Sequence, residues 1–122
     1  MHKNVDNLVV IENLLKKKTN IEKIPKIIAV SKTFPVSDII PLIKNGHIDF
    51  GENKIQEAVD KWSSIKNEFT DIKLHMIGKL QTNKVKFLLP LFDYLHSLDN
   101  LKLAKKIAEQ ETNTKKKLKI FI

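Results

Sequence analysis

A lysine follows a run of small and apolar residues in the stretch IIAVSKTFP, at residues 27–35. The run is typical of a buried strand, and Lys32 comes where that strand ends. As an ammonium ion, a lysine at such a point can bind a phosphate or a carboxylate. With its pKa lowered by burial, it can instead attack an aldehyde and form a Schiff base. The alternative is a lysine whose ammonium extends into solvent and takes part in no chemistry.

Polar and glycine residues also mark the ends of three further predicted strands, HIDFGEN, DIKLHMIG and LFDYLHSLD. These strands contribute Asn53, Gly78 and Ser97 near their ends, and His75 lies inside the second of the three. The carboxyl ends of parallel strands meet at one edge of a sheet, where ligands bind in such folds. The spacing therefore predicts a rim of polar residues around Lys32.

Several of these residues have an equally ordinary structural interpretation. Glu52 and Asn53 fit the acid and the cap of a helix N-terminus, and His75 fits a hydrogen-bonded core histidine. Asp38 and Glu57 are interpreted as acids on helix surfaces. The chain has no cysteine, and no second histidine lies one helical turn from His75, so the sequence does not support a metal site.

The elements that must position this rim follow a regular alternation. A helix is predicted over residues 5–15, followed by four strand–helix pairs and a final strand in KKLKIFI, with strand-to-strand offsets of about 20–25 residues. Pro35 can begin the second helix, and Pro90 ends a helix over 81–89. Parallel strands with right-handed crossovers fit either a doubly wound open sheet or a (β/α)8 barrel.

Composition sets wider bounds on the protein class. The 122 residues, 42% of them apolar, suffice for one modest domain with a core. The N-terminus carries Asp6 and Glu12 within its apolar pattern and no cleavage site, and no apolar run reaches membrane-spanning length. We therefore expect a cytoplasmic protein without a membrane partner.

The net charge of +8 raises the possibility of a polyanionic partner such as RNA. All 22 basic residues are lysine, whereas arginine is the usual residue for bidentate phosphate and guanine contacts. The lack of arginine therefore argues against nucleic acid as a partner, and the excess of lysine is interpreted as a compositional bias.

Four separated motifs, AVSKTFP, FGENKIQEAVDK, LHMIGKLQTNK and HSLDNLKLAKKI, occur in an order and spacing that resemble the YggS-type pyridoxal phosphate homeostasis proteins. That family is similar to the N-terminal barrel domain of alanine racemase. The resemblance implies a (β/α)8 TIM barrel of the fold type III class of pyridoxal phosphate proteins. Residues 1–122 would form the N-terminal part of that single barrel domain, with about its first five strands.

The resemblance also implies a function. Lys32 would carry pyridoxal 5'-phosphate as a Schiff base, Asn53 would lie beside the cofactor, and His75, Gly78 and Ser97 are carried over from neighbouring strand ends. Members of the family are thought to buffer the reactive cofactor, without a firmly assigned turnover reaction, and to supply it to pyridoxal phosphate-dependent apoenzymes. The enzyme alternative is an amino-acid racemase-like activity.

Three departures from the family pattern stand out. Phe34 occupies the place of a second lysine in many relatives, and Lys54 that of a tyrosine. The chain is also shorter than the roughly 200 residues of a closed barrel. By the resemblance, the remaining half would supply the groups that hold the cofactor phosphate. We expect a fragment, a truncated product or half of a complementing assembly, which alone is unstable or self-associates because its core is incomplete.

Overall fold

Helices and strands alternate along the chain in the predicted order. The computed structural model describes residues 2–18 and 24–121, and Ile122 of the predicted last strand lies outside them. The elements are α1 (Lys3–Lys18), β1 (Ala29–Val30), α2 (Val36–Lys44), β2 (Asp49–Glu52), α3 (Ile55–Glu68), β3 (Lys73–Met76), α4 (Val85–Leu88), β4 (Tyr94–Leu95), α5 (Leu101–Thr114) and β5 (Lys119–Ile120).

The strands form one parallel sheet in the sequential order β1-β2-β3-β4-β5. A doubly wound sheet reverses its strand order at a switch point, whereas a (β/α)8 barrel adds each strand beside the preceding one. The observed order therefore decides between the two architectures that the sequence left open. The chain folds as the first five strands of a (β/α)8 barrel with their helices, which confirms the expected fold class.

The two faces of the sheet have different compositions. One face packs against the helices through Phe50, Leu74, Met76 and Leu95, and all four side chains are buried. Trp62 of α3 belongs to the same core, with its ring centroid 5.0 Å from that of Phe50. Because side chains alternate along a strand, the intervening residues project from the opposite face, which corresponds to the barrel interior. That face carries polar residues such as His75 together with apolar ones such as Ile77.

The structure defines the start of one helix and changes the form of another. Asn100 caps α5, since its side-chain oxygen accepts a hydrogen bond from Leu103 N at 2.8 Å. The single helix predicted over 81–89 is instead a 3-10 turn, Thr82–Lys84, followed by the one-turn α4. No helix among the described residues is long and apolar enough to cross a membrane.

Candidate functional site

The carboxyl ends of β1 to β4 bring the predicted residues to one edge of the sheet. Backbone hydrogen bonds extend the strand ladders by one residue. Ser31 N donates to Gly51 O at 2.9 Å, Ile77 N donates to Glu52 O at 3.0 Å, and His96 N donates to Met76 O at 2.9 Å. Counting on in this register puts Lys32, Asn53, Ile77 and His96 level with one another.

Lys32 lies in the turn that follows β1, and its side chain is exposed. Within the described part of the chain, its amine makes no hydrogen bond or ion pair. The next residue, Thr33, has a φ of 66°. A positive φ is uncommon for a β-branched residue, so the backbone beside Lys32 is strained.

Side chains from β2 and α3 contact this turn. Glu52 is fully buried, accepts a short hydrogen bond from Ser31 Oγ, and lies 3.2 Å from Lys61 Nζ. Glu57 Oε1 accepts a hydrogen bond from Thr33 N at 2.5 Å. That backbone hydrogen bond holds the pKa of Glu57 below its usual value, against the opposing effect of burial.

Asn53 and Gly78 are in direct contact at the ends of β2 and β3. A Cβ atom on Gly78 would lie 2.4 Å from Asn53 O and 2.7 Å from Asn53 Cβ, so glycine is required for the approach of the two chain segments. The side-chain oxygen Asn53 Oδ1 is buried and finds no hydrogen-bond partner among the described residues. An unpaired buried acceptor is unusual in a folded protein and marks Asn53 as a candidate ligand contact.

His75 is buried on the interior face, and both of its ring nitrogens have partners. Its Nε2 lies 2.9 Å from Asp49 Oδ1, and its Nδ1 lies 2.9 Å from His96 Nε2. Its ring stacks on Tyr94 at a centroid distance of 4.1 Å. Burial, and then the charge of His75, hold the pKa of His96 below its usual value. The result is a hydrogen-bonded series from the Asp49 carboxylate to the His75 imidazole to the His96 imidazole, and His96 lies level with Lys32 in the sheet register.

Ser97 turns toward the neighbouring strand end. Its hydroxyl donates to the backbone carbonyl oxygen of Gly78 at 2.5 Å. The hydroxyl therefore ties the segment after β4 to the segment after β3. Ser97 thus lies at the predicted edge of the sheet, where its hydroxyl links two loops.

Three interpretations of polar residues change in the structure. Glu52 belongs to β2 and pairs with Lys61. Helix α3 begins at Ile55, and its N-cap position is Lys54, which makes no side-chain capping bond, so neither Glu52 nor Asn53 caps that helix. Glu57 holds the turn after β1 instead of being an ordinary surface acid. Sequence reasoning misses Lys61, because it lies four residues after Glu57 and this spacing is typical of a surface ion pair.

The two departures from the family motifs are on the surface at this edge. Phe34 is half exposed and lines an apolar cleft of about 300 Å³ between α1 and α2, beside β1. Lys54 is exposed at the start of α3. Among the described residues, no group of histidine, aspartate and glutamate side chains is arranged to hold a metal ion.

Similar proteins share both the sequence and the fold. A pyridoxal phosphate homeostasis protein of Pasteurella multocida is 40% identical over 101 residues, which are 83% of this chain and 43% of that protein. The corresponding protein of Haemophilus influenzae is 35% identical over 112 residues, or 92% of this chain and 47% of that protein. No protein-family model matches the chain.

Among solved structures, PipY of Synechococcus elongatus with pyridoxal phosphate bound is 31% identical, with a TM-score of 0.76 over 88% of this chain and 50% of that one. The same protein without the cofactor is 34% identical, with a TM-score of 0.72 over 76% of this chain and 43% of that one. The chain thus spans about half the length of the relatives it matches. By sequence and by fold, it belongs to the family of the pyridoxal phosphate homeostasis proteins.

Proposed function

We propose that the chain binds pyridoxal 5'-phosphate through Lys32 and contributes to the homeostasis of this cofactor. The observation that carries the proposal is an exposed amine on the turn after β1, without a partner among the described residues, in a fold that matches a relative solved with the cofactor bound. The names of the curated relatives support the same function. The domain assignment, residues 1–122 as the N-terminal part of one barrel domain, is part of this proposal.

The residues at this edge fit such a ligand. Asn53 Oδ1, which has no partner among the described residues, can accept a hydrogen bond from a ligand, and the exposed amine of Lys32 is accessible to one. When bound, pyridoxal phosphate supplies an aldehyde that reacts with amines. In this site Lys32 would hold the cofactor covalently, Asn53 would orient it, and Gly78 would let Asn53 approach. His75 would act through His96, since its own ring nitrogens are occupied. Ser97 would hold the loop beneath the ligand.

The test is covalent labelling of the purified chain. Mixing with substoichiometric pyridoxal phosphate, reducing with borohydride and mapping by mass spectrometry shows which lysine carries the cofactor. We expect the label on Lys32, lost in Lys32→Ala and retained in Lys79→Ala, a variant of another exposed lysine near the same edge. Labelling scattered over many lysines and unchanged in Lys32→Ala would overturn the proposal.

One observation favours a second candidate, a racemase-like enzyme. The hydrogen-bonded series Asp49–His75–His96 can hold or move a proton, and its last member lies level with Lys32. An enzyme of this kind would exchange the α-proton of alanine for solvent deuterium in a manner that depends on Lys32 and His96. Proton NMR of alanine in D2O measures this, and we expect no exchange from a cofactor carrier.

We further propose that the protein acts in the cytoplasm and passes the cofactor to apoenzymes. Reactivation of a pyridoxal phosphate-dependent apoenzyme by the loaded chain, faster than by the same concentration of free cofactor, tests the transfer. Self-association is supported by exposed apolar side chains on α1, among them Val10 and Leu14. Sedimentation velocity at micromolar concentration tests it, and a monomer would contradict it.

A further inference from the structure

The turn that carries Lys32 is held from both sides by side chains of α3. Lys61 Nζ donates to the carbonyl oxygen of Ser31 at 2.7 Å, and Thr33 N donates to Glu57 Oε1 at 2.5 Å. Ser31 and Thr33 are the two neighbours of Lys32 in the chain. The backbone on each side of the reactive lysine therefore depends on a charged side chain of one helix.

Lys61 is the centre of these contacts. Its Nζ lies 3.2 Å from Glu57 Oε1, and 3.3 and 3.2 Å from the two carboxylate oxygens of Glu52. Glu52 is fully buried and the side chain of Lys61 is 9% exposed. A buried carboxylate is stable only when it is paired and hydrogen-bonded, so Lys61 and Ser31 Oγ together keep Glu52 in place. The ammonium of Lys61 is thereby surrounded by acceptors and is itself unavailable to an aldehyde.

The contacts of Glu57 and Lys61 stabilise a strained backbone conformation at Thr33. A β-branched residue at a φ of 66° persists only where its surroundings hold it there, and such strain clusters at functional sites. Glu57 accepts the hydrogen bond of this very residue. If Glu57 and Lys61 released the turn, Thr33 would relax toward negative φ and Lys32 would leave its present position.

We propose that Lys61 and Glu57 are positioning residues that clamp the turn from Ser31 to Thr33 and so present the amine of Lys32 to its ligand. This inference rests on the proposed function of Lys32 and deepens it. Lys61 takes no part in the reaction. The clamp makes Lys32 react selectively among the many lysines of the chain.

The first experiment uses Glu57→Gln, which removes the charge at an accessible position and leaves no buried carboxylate unpaired. The matched control is Asp60→Asn on the same helix. Among the described residues, the carboxylate of Asp60 accepts a hydrogen bond from Gln56 and from no other side chain. The readout is the ratio of cofactor label on Lys32 to label on Lys79 in one sample. A hydrogen bond to a neutral acceptor is weaker than one to a charged acceptor, so we expect Glu57→Gln to lower this ratio about five-fold. Asp60→Asn should leave it unchanged.

A second pair of variants tests Lys61. Lys61→Met leaves Glu52 without its cation. Its label ratio is therefore measured only after circular dichroism has shown that the variant is folded. Lys61→Arg keeps a cation that can bond both carboxylates, so it should restore at least half of the selectivity that Lys61→Met loses. If Lys61→Met does not fold, the label ratios of Lys61→Arg and Glu57→Gln still test the proposed positioning role. An unchanged ratio in Glu57→Gln overturns the proposal.

A measurement without cofactor separates this inference from the proposed function. Hydrogen exchange of the Thr33 amide, followed by NMR, reports directly on its bond to Glu57. We expect exchange to become about five-fold faster in Glu57→Gln and unchanged in Asp60→Asn. If the native chain shows no preference for Lys32 but the Thr33 amide responds, the proposed function fails while the clamp stands. If the Thr33 amide does not respond, the clamp itself is refuted.

Discussion

Replacing Gly78 by alanine tests the close approach of two chain segments at the site. The added Cβ would lie 2.4 Å from Asn53 O and 2.8 Å from Asn53 Cα, both of them backbone atoms that cannot rotate away. Overpacking of this kind costs about 1–3 kcal/mol, while the loss of glycine from the unfolded chain returns about 0.4–1 kcal/mol. We expect Gly78→Ala to lower the free energy of unfolding by about 1–2 kcal/mol and to displace Asn53.

Two other glycines supply matched controls. At Gly51 the atoms nearest to an added Cβ would be side-chain methyl groups of Ile28 and Ile77, at 3.2–3.4 Å, so Gly51→Ala should change stability by less than about 0.5 kcal/mol. At Gly46 nothing lies within 4 Å, but φ is +95°, so Gly46→Ala should cost about 1–2 kcal/mol through backbone strain, away from the site.

Urea unfolding at a common m-value gives the three stabilities, and borohydride labelling gives the effect on Lys32. We expect Gly78→Ala to lose more label than Gly46→Ala at similar stability, because only Gly78 contacts Asn53. If Gly78→Ala is as stable as Gly51→Ala, the overlap with Asn53 is not real and the reasoning fails.

Three further predictions concern other parts of the structure. Replacing His75 by asparagine removes a charge that lowers the pKa of His96, so this pKa should rise in an NMR titration; an unchanged value would contradict the contact. Burial alone would raise the pKa of Asp93, but the hydrogen bond from Lys66 at 2.8 Å helps to bring it below its ordinary 3.8. This stabilisation is present above that ordinary value and lost as the pH falls through the folded pKa, so Lys66→Met should shift acid unfolding, followed by circular dichroism, to higher pH. Finally, Trp62 is fully buried with no partner for its Nε1 among the described residues, so Trp62→Phe removes an unsatisfied donor and should cost less than about 2 kcal/mol in urea unfolding, against about 3–5 kcal/mol for Trp62→Ala.

Local patterns were enough to predict most of the elements. The apolar stripe of α3, including Trp62, is buried as its spacing predicts, and α2 ends at Lys44, directly before Asn45 and Gly46. The segment 81–89 was predicted incorrectly as one helix, because its apolar residues suit a helix but its fold is set by how Val85 and Leu88 pack into the core. Periodicity reports which side of an element is buried and not what it is buried against.

The strand order depended on the tertiary structure. Both a doubly wound sheet and a barrel are built from the same alternating elements, so the pattern of helices and strands is identical in the two. They differ only in which strands pair, and pairing joins residues that are about 20 positions apart, such as Val30 with Gly51. Within the sequence itself, only the family resemblance pointed to the barrel.

The sequence alone made Lys32 a candidate, because a cation at the end of an apolar run is a local anomaly that can be recognised without any partner residue. It also predicted that Asn53, Gly78 and Ser97 would lie at the same edge, since parallel strands end together. The roles of Lys61 and Glu57 were decided only by the fold. Their spacing is that of an ordinary surface ion pair, and the carbonyl and amide that they hold are more than 20 residues away in the chain. Contacts over such separations depend on how the strands and helices pack, and no local pattern of residue types contains that information.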